Sequence, residues 1–392
     1  MNLTTKVKHG ALVAVLIIAM GTIWGVGETW ITPNARIQSN TPLRLVFYYP
    51  WFPNHWQENG VYPLTHYHPT LGYYDSSDPV VIRKHIEAMQ YARIDAAIAS
   101  WWGRDNRYGT DVALRRILKE SRGSAFRWAV YYEKEGLGFP RDSRDPGGAE
   151  IESDLDYLYA NFASDPNYLR IDGRWVLFVY SDENDGCGMV SRWTDARTTH
   201  PEVYVVLRVF EGYPGCVSQP DAWHQYSVSN KSGIDSQVPF SYTIQPGFWG
   251  AVEDHPRLER DLARWKENIR NMISSGATFQ LVSTFNEWGE GTPVESATEW
   301  ATPSGYGAYL DALHSNGDIN EKDSTNQVTG AGFAPVAVGL GVGVAIALAA
   351  IAITVKMSKP KGETLNHCRY CGKRVSSNSR FCQFCGRPLS NV

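Results

Sequence analysis

The feature that most constrains this chain is a rhythm between residues 44 and 286, where short strand-like runs alternate with helical patterns. RLVFYY (44–49), DAAIASW (95–101), RWAVYY (127–132), WVLFVY (175–180), VYVVLRVF (203–210), AWHQYSV (222–228), FSYTIQ (240–245) and FQLVSTFN (279–286) are rich in β-branched and aromatic residues and too short for helices. Between them, Asp78-Pro79 is a helix start followed by Ile82, Ile86 and Met89 on one face. Ile151, Leu155, Leu158 and Phe162 repeat that spacing, as do Leu258, Leu262, Trp265, Ile269 and Met272 before a stop at Gly276. Strands that alternate with helices pair in parallel, and eight such units over some 270 residues predict an α/β fold of the (β/α)8 TIM barrel type. A flatter open α/β sheet is the alternative. The rhythm is weakest from 209 to 240, where loops such as EGYPGC stand in place of helices.

In a barrel of this kind chemistry sits where strands end and βα loops begin. Those ends carry Tyr48, Tyr49 and Trp51; Trp101 and Trp102; Glu133; Tyr180; Arg208; His224 and Tyr226; Gln245, Phe248 and Trp249; and Glu287, Trp288 and Glu290. Aromatic faces beside carboxylates suit a sugar, whose C–H patches pack on rings and whose hydroxyls need directed polar partners. Any one of these aromatics taken alone reads as core, and it is their clustering at one end that points to a binding site. Glu287 and Glu290 lie three residues apart after the eighth strand, with Gly289 and Gly291 allowing a tight path. Hydrolysis of a glycosidic bond needs one carboxyl to protonate the leaving oxygen and a second, ionised one as base or nucleophile. Two carboxylates about 5 Å apart at an effective dielectric near 20 repel by roughly 3 kcal/mol, enough to raise the second pKa by about two units.

The ends of the chain have a different character. Of 37 basic and 41 acidic residues, Lys6 and Lys8 precede Gly10, and eight basic residues and Glu363 follow Val355, leaving 27 basic and 40 acidic residues between. A central domain so acidic repels phosphate backbones, which argues against nucleic acid as a partner of the barrel. Gly10 to Gly27 is free of charge over 18 residues and reads as a membrane anchor or a signal peptide, the anchor being favoured because no clean small-x-small cleavage site follows. Val336 to Val355 supplies 20 apolar or small residues, the length of a helix that spans a lipid bilayer, with Lys356, Lys359 and Lys361 next. Positive charge at the outer end of both segments puts both chain ends in the cytoplasm and the barrel outside the cell. The expected organisation is therefore a cytoplasmic N-terminus (1–9), an anchor or signal (10–27), the barrel (31–320), a linker (321–335), a transmembrane helix (336–355) and a basic cytoplasmic tail (356–392).

The tail holds Cys368, Cys371, Cys382 and Cys385 as two CxxC knuckles, a set that surrounds one structural zinc ion tetrahedrally and gives a coreless segment its reason to fold. The partner of such a zinc ribbon is not legible. Cys187 and Cys216 fall in the predicted exterior domain, where a disulfide persists, although sequence alone leaves open whether they meet. His66 and His68 in THYHP form a weak metal-binding pattern and a minor alternative for the chemistry.

FNEWGEGTPVE (285–295) resembles the FNEWHEGTxIE signature of glycoside hydrolase family 99, the endo-α-mannosidase family. VFYYPWF (46–52), YHPTLGYYDSSDPVVIRKHI (67–86), IDAAIASWWG (94–103), YYEKE (131–135) and YLDALH (309–314) match in family order, so that the likeness covers about 44–314. The resemblance implies a retaining endo-acting hydrolase of α-mannosides that needs no catalytic cofactor. Glu287 would be the base on the sugar's own 2-hydroxyl and Glu290 the general acid and then base; Tyr48 or Tyr49, Trp101 or Trp102, and Glu133 would line the substrate. Gly289 replaces the family's histidine, which bears on sugar and linkage preference. The rival reading is a glycan sensor that signals through its transmembrane helix to the zinc ribbon. For the tail, metal analysis of the purified chain is expected to return a single bound Zn2+ that Cys371→Ser with Cys385→Ser removes.

Overall fold

The computed structural model describes residues 42–136, 146–226 and 230–317, together with the backbone of 365–367 and 374–376. The barrel and the C-terminal segment belong to separate compact units and are taken in turn. The strands of the first are β1 (Leu43–Tyr48), β2 (Ala96–Trp101), β3 (Arg127–Tyr132), β4 (Arg170–Ile171), β5 (Arg174–Val179), β6 (Val203–Arg208), β7 (Ala222–His224), β8 (Ile234–Gln237), β9 (Ser241–Ile244) and β10 (Phe279–Val282). Its helices are α1 (Pro79–Tyr91), α2 (Thr110–Ser121), α3 (Gly148–Leu158), α4 (Gly186–Thr199), α5 (Leu262–Ser274) and α6 (Ala308–His314). All eight expected strands form and lie parallel, in the order β7-β6-β5-β3-β2-β1-β10-β9; β4 and β8 are short antiparallel additions to β5 and β9.

Leu43 to Val46 of the first strand pair in register with Phe279 to Val282 of the last. The two edges of this parallel sheet, β7 and β9, come into contact as well, so the sheet curls into a nearly closed barrel and is not the open one. No ladder joins β7 to β9, so the barrel has one seam, across which the Thr243 hydroxyl donates to the Gln225 carbonyl at 2.9 Å. The seam falls in the stretch of weak rhythm: β7 has only three residues, and the antiparallel β8 stands where a crossover helix would otherwise lie.

Alternation along the strands decides what faces the barrel interior. Phe47 points in, with its ring centroid 5.0 Å from those of Tyr131 and Tyr226 and 5.9 Å from that of His224. Its neighbour Tyr48 points out, and its hydroxyl lies 2.9 Å from His85 Nδ1 on α1. Trp101 likewise points out and donates from Nε1 to Asp111 on α2 at 3.0 Å. Both are fully buried between sheet and helices, which corrects their expected place among substrate-binding residues. The helix signals act as read: Asp78 caps α1 by accepting from the Val80 amide at 2.7 Å with Pro79 at the first turn, and Asp261 caps α5.

Cys187 on α4 and Cys216 in the β6–β7 connection form a disulfide, settling the pairing left open by the sequence. No helix among the described residues is long and apolar enough to cross a membrane, and both charge-free segments, 10–27 and 336–355, lie outside them. In the C-terminal unit β11 (Leu365–His367) and β12 (Arg374–Ser376) pair antiparallel, with His367 opposite Arg374. Cys368, Cys371, Cys382 and Cys385 lie outside the described residues. Because the Cys187–Cys216 link spans 29 residues, replacing both cysteines with alanine is expected to lower the barrel's unfolding free energy by about 3 kcal/mol in denaturant titration.

Candidate active site

The mouth of the barrel is organised by the turn after β10. The Phe285 amide continues the pairing with β1 by donating to the Phe47 carbonyl at 2.7 Å. Asn286 then clamps Tyr49, accepting from its amide at 2.7 Å and donating to its carbonyl at 3.0 Å. Glu287 donates its amide to the Thr284 hydroxyl at 2.9 Å, and the Val294 and Glu295 amides return to the Thr284 and Phe285 carbonyls, each at 2.9 Å, so that residues 284–295 form a closed loop. A second clamp comes from the β9 side, where the Trp249 and Ala251 amides donate to the Glu290 and Gly289 carbonyls at 2.9 and 2.8 Å. Gly291 has φ +65°, and a Cβ there would stand 2.4 Å from the Trp249 carbonyl oxygen.

This loop delivers two carboxyl groups to one place by different means. Glu287 is buried; its Oε1 accepts from the Gly289 amide at 3.0 Å and the Glu290 amide at 3.3 Å, while Oε2 is buried with no hydrogen-bond partner among the described residues. Glu290 accepts from the Tyr226 hydroxyl at 3.0 Å. A third acid, Glu133 after β3, accepts from Ser100 at 2.9 Å, and Trp102 Nε1 donates to the same Ser100 oxygen at 2.8 Å. Arg208 is the neighbouring cation, its guanidinium 4.8 Å from the Tyr180 ring centroid and 5.9 Å from that of Tyr226.

Burial pushes all three carboxyls above the ordinary carboxylate range. Glu287 is held well above it, by burial first and then by the charge of Glu290, against the two amides that favour its anion. Glu290 is raised by burial too, but the Tyr226 hydroxyl and Arg208 act in the opposite direction. Glu133 is pushed up to about 8 by burial, with Ser100 and Arg208 opposing and Glu290 adding to the rise. The two acids of the pair thus share a burden of burial and differ in what favours the anion: two backbone amides at Glu287, a phenol and a guanidinium at Glu290. His224 is pushed down to about 3, chiefly by burial and then by Arg208, and is a neutral ring.

The structure brings together Tyr49, Glu133, Tyr226, Glu287 and Glu290: burial raises the Tyr49 and Tyr226 phenols, and the charges of Glu290 and Glu287 raise both further. Trp51 packs on Tyr49 at 4.5 Å and approaches Trp102 at 6.2 Å, which makes one aromatic wall; Tyr180 and Arg208 form another. Of the adjacent pairs in the sequence, Tyr49 and Trp102 are therefore the members that face the mouth. Trp288 does not: it is fully buried, stacked on Trp300 and donating from Nε1 to Glu295 at 3.2 Å. His224 is a core ring below the mouth, 3.4 Å from the Tyr131 hydroxyl. Trp249 stacks on His66 at 3.9 Å and donates its ring N–H to the Glu253 carbonyl, so it holds the loop's flank. Gln245 is buried and donates to the Gly247 carbonyl, and Phe248 bridges to Leu258.

Sequence reasoning missed Ser100, Tyr74, His85 and His55. Ser100 was recoverable, because it is the inward residue beside outward Trp101. His66 and His68 turn to separate partners, the Gly250 carbonyl and Glu299, and among the described residues no group of three or more His, Cys, Asp or Glu could hold a metal ion. Beyond Trp102 a cavity of about 390 Å3 opens on the rim, lined by Arg104, Asn106, Lys134, Glu150 and Asp154 among others. Gly291→Ala is expected to displace the loop and abolish turnover while leaving the far-ultraviolet circular dichroism of the barrel in place, since the clash is local.

The chain is similar to known proteins in sequence and in fold. The model of Glycosyl hydrolase family 99 matches residues 63–213, short of β10, and that of a zinc-ribbon domain matches 367–389. The Glycoprotein endo-alpha-1,2-mannosidase of Rattus norvegicus is 22% identical over 376 residues, covering 73% of this chain and 76% of its own length. The Glycoprotein endo-alpha-1,2-mannosidase-like protein of Homo sapiens is 21% identical over 288 residues, covering 63% and 60%. In fold, the chain is similar to the GH99 endo-alpha-mannosidase from Bacteroides thetaiotaomicron, with TM-score 0.55 and 18% identity over 74% of this chain and 98% of that one. From these likenesses, the chain is a glycoside hydrolase related to family 99.

Proposed function

We propose that this chain is a membrane-tethered, extracellular, retaining endo-glycosidase of α-mannoside-type glycans, with Glu287 and Glu290 as its reacting carboxyls. The observation that carries the reading is the pairing of two acids on one loop, a buried one with an unpartnered oxygen and a half-buried one held by a tyrosine hydroxyl, beside aromatic walls that suit a pyranose. The activity named for the rat relative, endo-alpha-1,2-mannosidase, supplies the substrate class.

The roles implied by the family need Glu287 ionised and Glu290 protonated, and a bound sugar favours that distribution. A 2-hydroxyl that donates to Glu287 Oε2 gives that buried oxygen its missing partner and favours the anion. The proton then belongs on Glu290, facing the leaving oxygen. Glu287 takes the 2-hydroxyl proton as O2 bonds to C1; the C1–O bond to the leaving group breaks and Glu290 delivers its proton there. Glu290, now ionised, activates the water that opens the three-membered ring, and the proton on Glu287 returns to O2. Glu133, Tyr49 and Trp102 flank the reacting sugar, and the cavity past Trp102 accommodates further sugar units of an internal cleavage site.

The tether is the helix 336–355, with 10–27 as anchor or signal; the disulfide and the four tail cysteines suit opposite sides of a membrane. The tail is proposed to hold a structural zinc through Cys368, Cys371, Cys382 and Cys385. Glu290→Gln in the barrel freed of its hydrophobic segments is expected to bind α-mannan oligosaccharides and turn them over about a hundredfold to ten-thousandfold more slowly. Unchanged turnover excludes Glu290 as the acid, and a wild-type protein that binds without forming product makes the barrel a sensor. Tyr226→Phe removes a hydrogen bond that lowers the Glu290 pKa, so the alkaline limb of the activity profile moves to higher pH.

A further inference from the structure

We infer that Glu295, seven residues beyond Trp288 and outside the reacting pair, is a positioning residue that sets where Glu287 and Glu290 lie. The inference rests on the proposed hydrolysis. Glu295 is 3% exposed and receives three donors from three parts of the chain. The Tyr74 hydroxyl and Trp288 Nε1 reach Oε2 at 2.7 and 3.2 Å, and His85 Nε2 on α1 lies 3.1 Å from Oε1. The proton positions follow from the chain of contacts. A carboxylate only accepts, so His85 carries a hydrogen on Nε2 opposite Glu295, and in the neutral ring Nδ1 then accepts from the Tyr48 hydroxyl. A buried carboxylate with three donors is satisfied, whereas its loss takes the acceptor from Tyr74 and His85 and leaves Trp288 Nε1 only the Tyr74 hydroxyl, 3.3 Å away.

What makes this network a matter for catalysis is where its donors sit. Trp288 occupies the centre of the tetrapeptide that carries both reacting acids, and its ring is fixed by Glu295 at one edge and by Trp300 on its face, 6.2 Å away and nearly parallel. Tyr74 also accepts from Asn286 Nδ2 at 3.3 Å, and Asn286 is the residue that clamps Tyr49. Residues 283–297 contain no helix or strand; backbone bonds with Phe47, Trp249 and Ala251 tie the loop at single points, and side-chain anchors complete its seating, with Glu295 the common acceptor for two of them. Its third contact, to His85, ties the loop to α1 outside the barrel wall.

The test is a comparison of kcat and KM for Glu295→Ala, Glu295→Gln and Tyr74→Phe on an α-mannan oligosaccharide, with folding checked by near-ultraviolet circular dichroism. Displacement of the acids by about 1 Å predicts a fall in kcat of about 10²-fold for Glu295→Ala with KM little changed. Glu295→Gln keeps an acceptor for Tyr74 and Trp288 and offers its amide to His85, which can exchange tautomer, so it recovers most of the lost kcat. Tyr74→Phe keeps the ring and removes one donor, and lowers kcat without raising KM even where Glu295→Ala fails to fold. A folded Glu295→Ala with wild-type kcat, equal impairment of the alanine and glutamine variants, or wild-type kcat in Tyr74→Phe overturns the inference. A wild-type protein without turnover overturns the proposed hydrolysis, and this inference with it.

Discussion

The pairing of the first strand with the last is the contact on which the rest of the molecule depends. Leu43 to Val46 meet Phe279 to Val282 across more than two hundred residues of intervening chain, and the pairing continues past the strands as Phe285 donates to Phe47. Only because β1 and β10 are neighbours does Asn286 reach both backbone groups of Tyr49. That clamp sets the take-off of the loop that carries Glu287 and Glu290. Such closure is costly in chain entropy and has to be repaid by parallel ladders made between sequence-distant segments. The tolerance for a seam between β7 and β9 shows where closure matters less, since among the acids and their immediate partners only Tyr226 lies beside it.

Burial then sets the electrical character of the mouth. Three carboxyls sit within a layer of tyrosines around one arginine, in surroundings where a charge is poorly solvated. A site of that kind cannot ionise every acid, and its members differ in what opposes protonation: two backbone amides for Glu287, a phenol and the Arg208 field for Glu290, a serine hydroxyl and the same field for Glu133. Pairs of titratable groups driven apart by their surroundings are what acid and base assignments require. A substrate hydroxyl that donates to the unpartnered Glu287 Oε2 joins the groups that oppose protonation there, which makes it a participant in arming the site.

The sequence was a good guide to whatever repeats and a poor one to whatever depends on direction. Short runs rich in β-branched and aromatic residues located every barrel strand, and the Asp78-Pro79 start and the α5 stripe from Leu262 on were read from capping and spacing alone. The two acids were legible because a strand pattern ends in them. Which of two adjacent aromatics faces the mouth was not, because Tyr48 and Tyr49, or Trp101 and Trp102, are equivalent until the pleat is fixed by a register that only the neighbouring strands determine. Trp288 misled for a related reason: it lies between the reacting acids in sequence, but its side chain turns into the core to meet Glu295 and Trp300. Tyr74, His85 and Glu295 belong to a network that spans 221 residues and has no local signature at all.

The same directional logic accounts for Gly289, the one departure from the family signature. A Cβ at 289 would stand 3.0 Å from Glu287 Oε1, 3.4 Å from Leu64 and 3.5 Å from His55 Nε2. The space beside the reacting loop is already filled, and part of the filling is an imidazole delivered from the β1–α1 connection. His55 packs on Trp51 at 4.1 Å and is pushed down to about 4 by burial and then by Arg107, so it is a neutral ring at ordinary pH. A histidine at 289 would need His55 or Leu64 to withdraw. The glycine is therefore matched to its surroundings, and the wall it leaves beside Glu287 is built by His55 and Leu64 together.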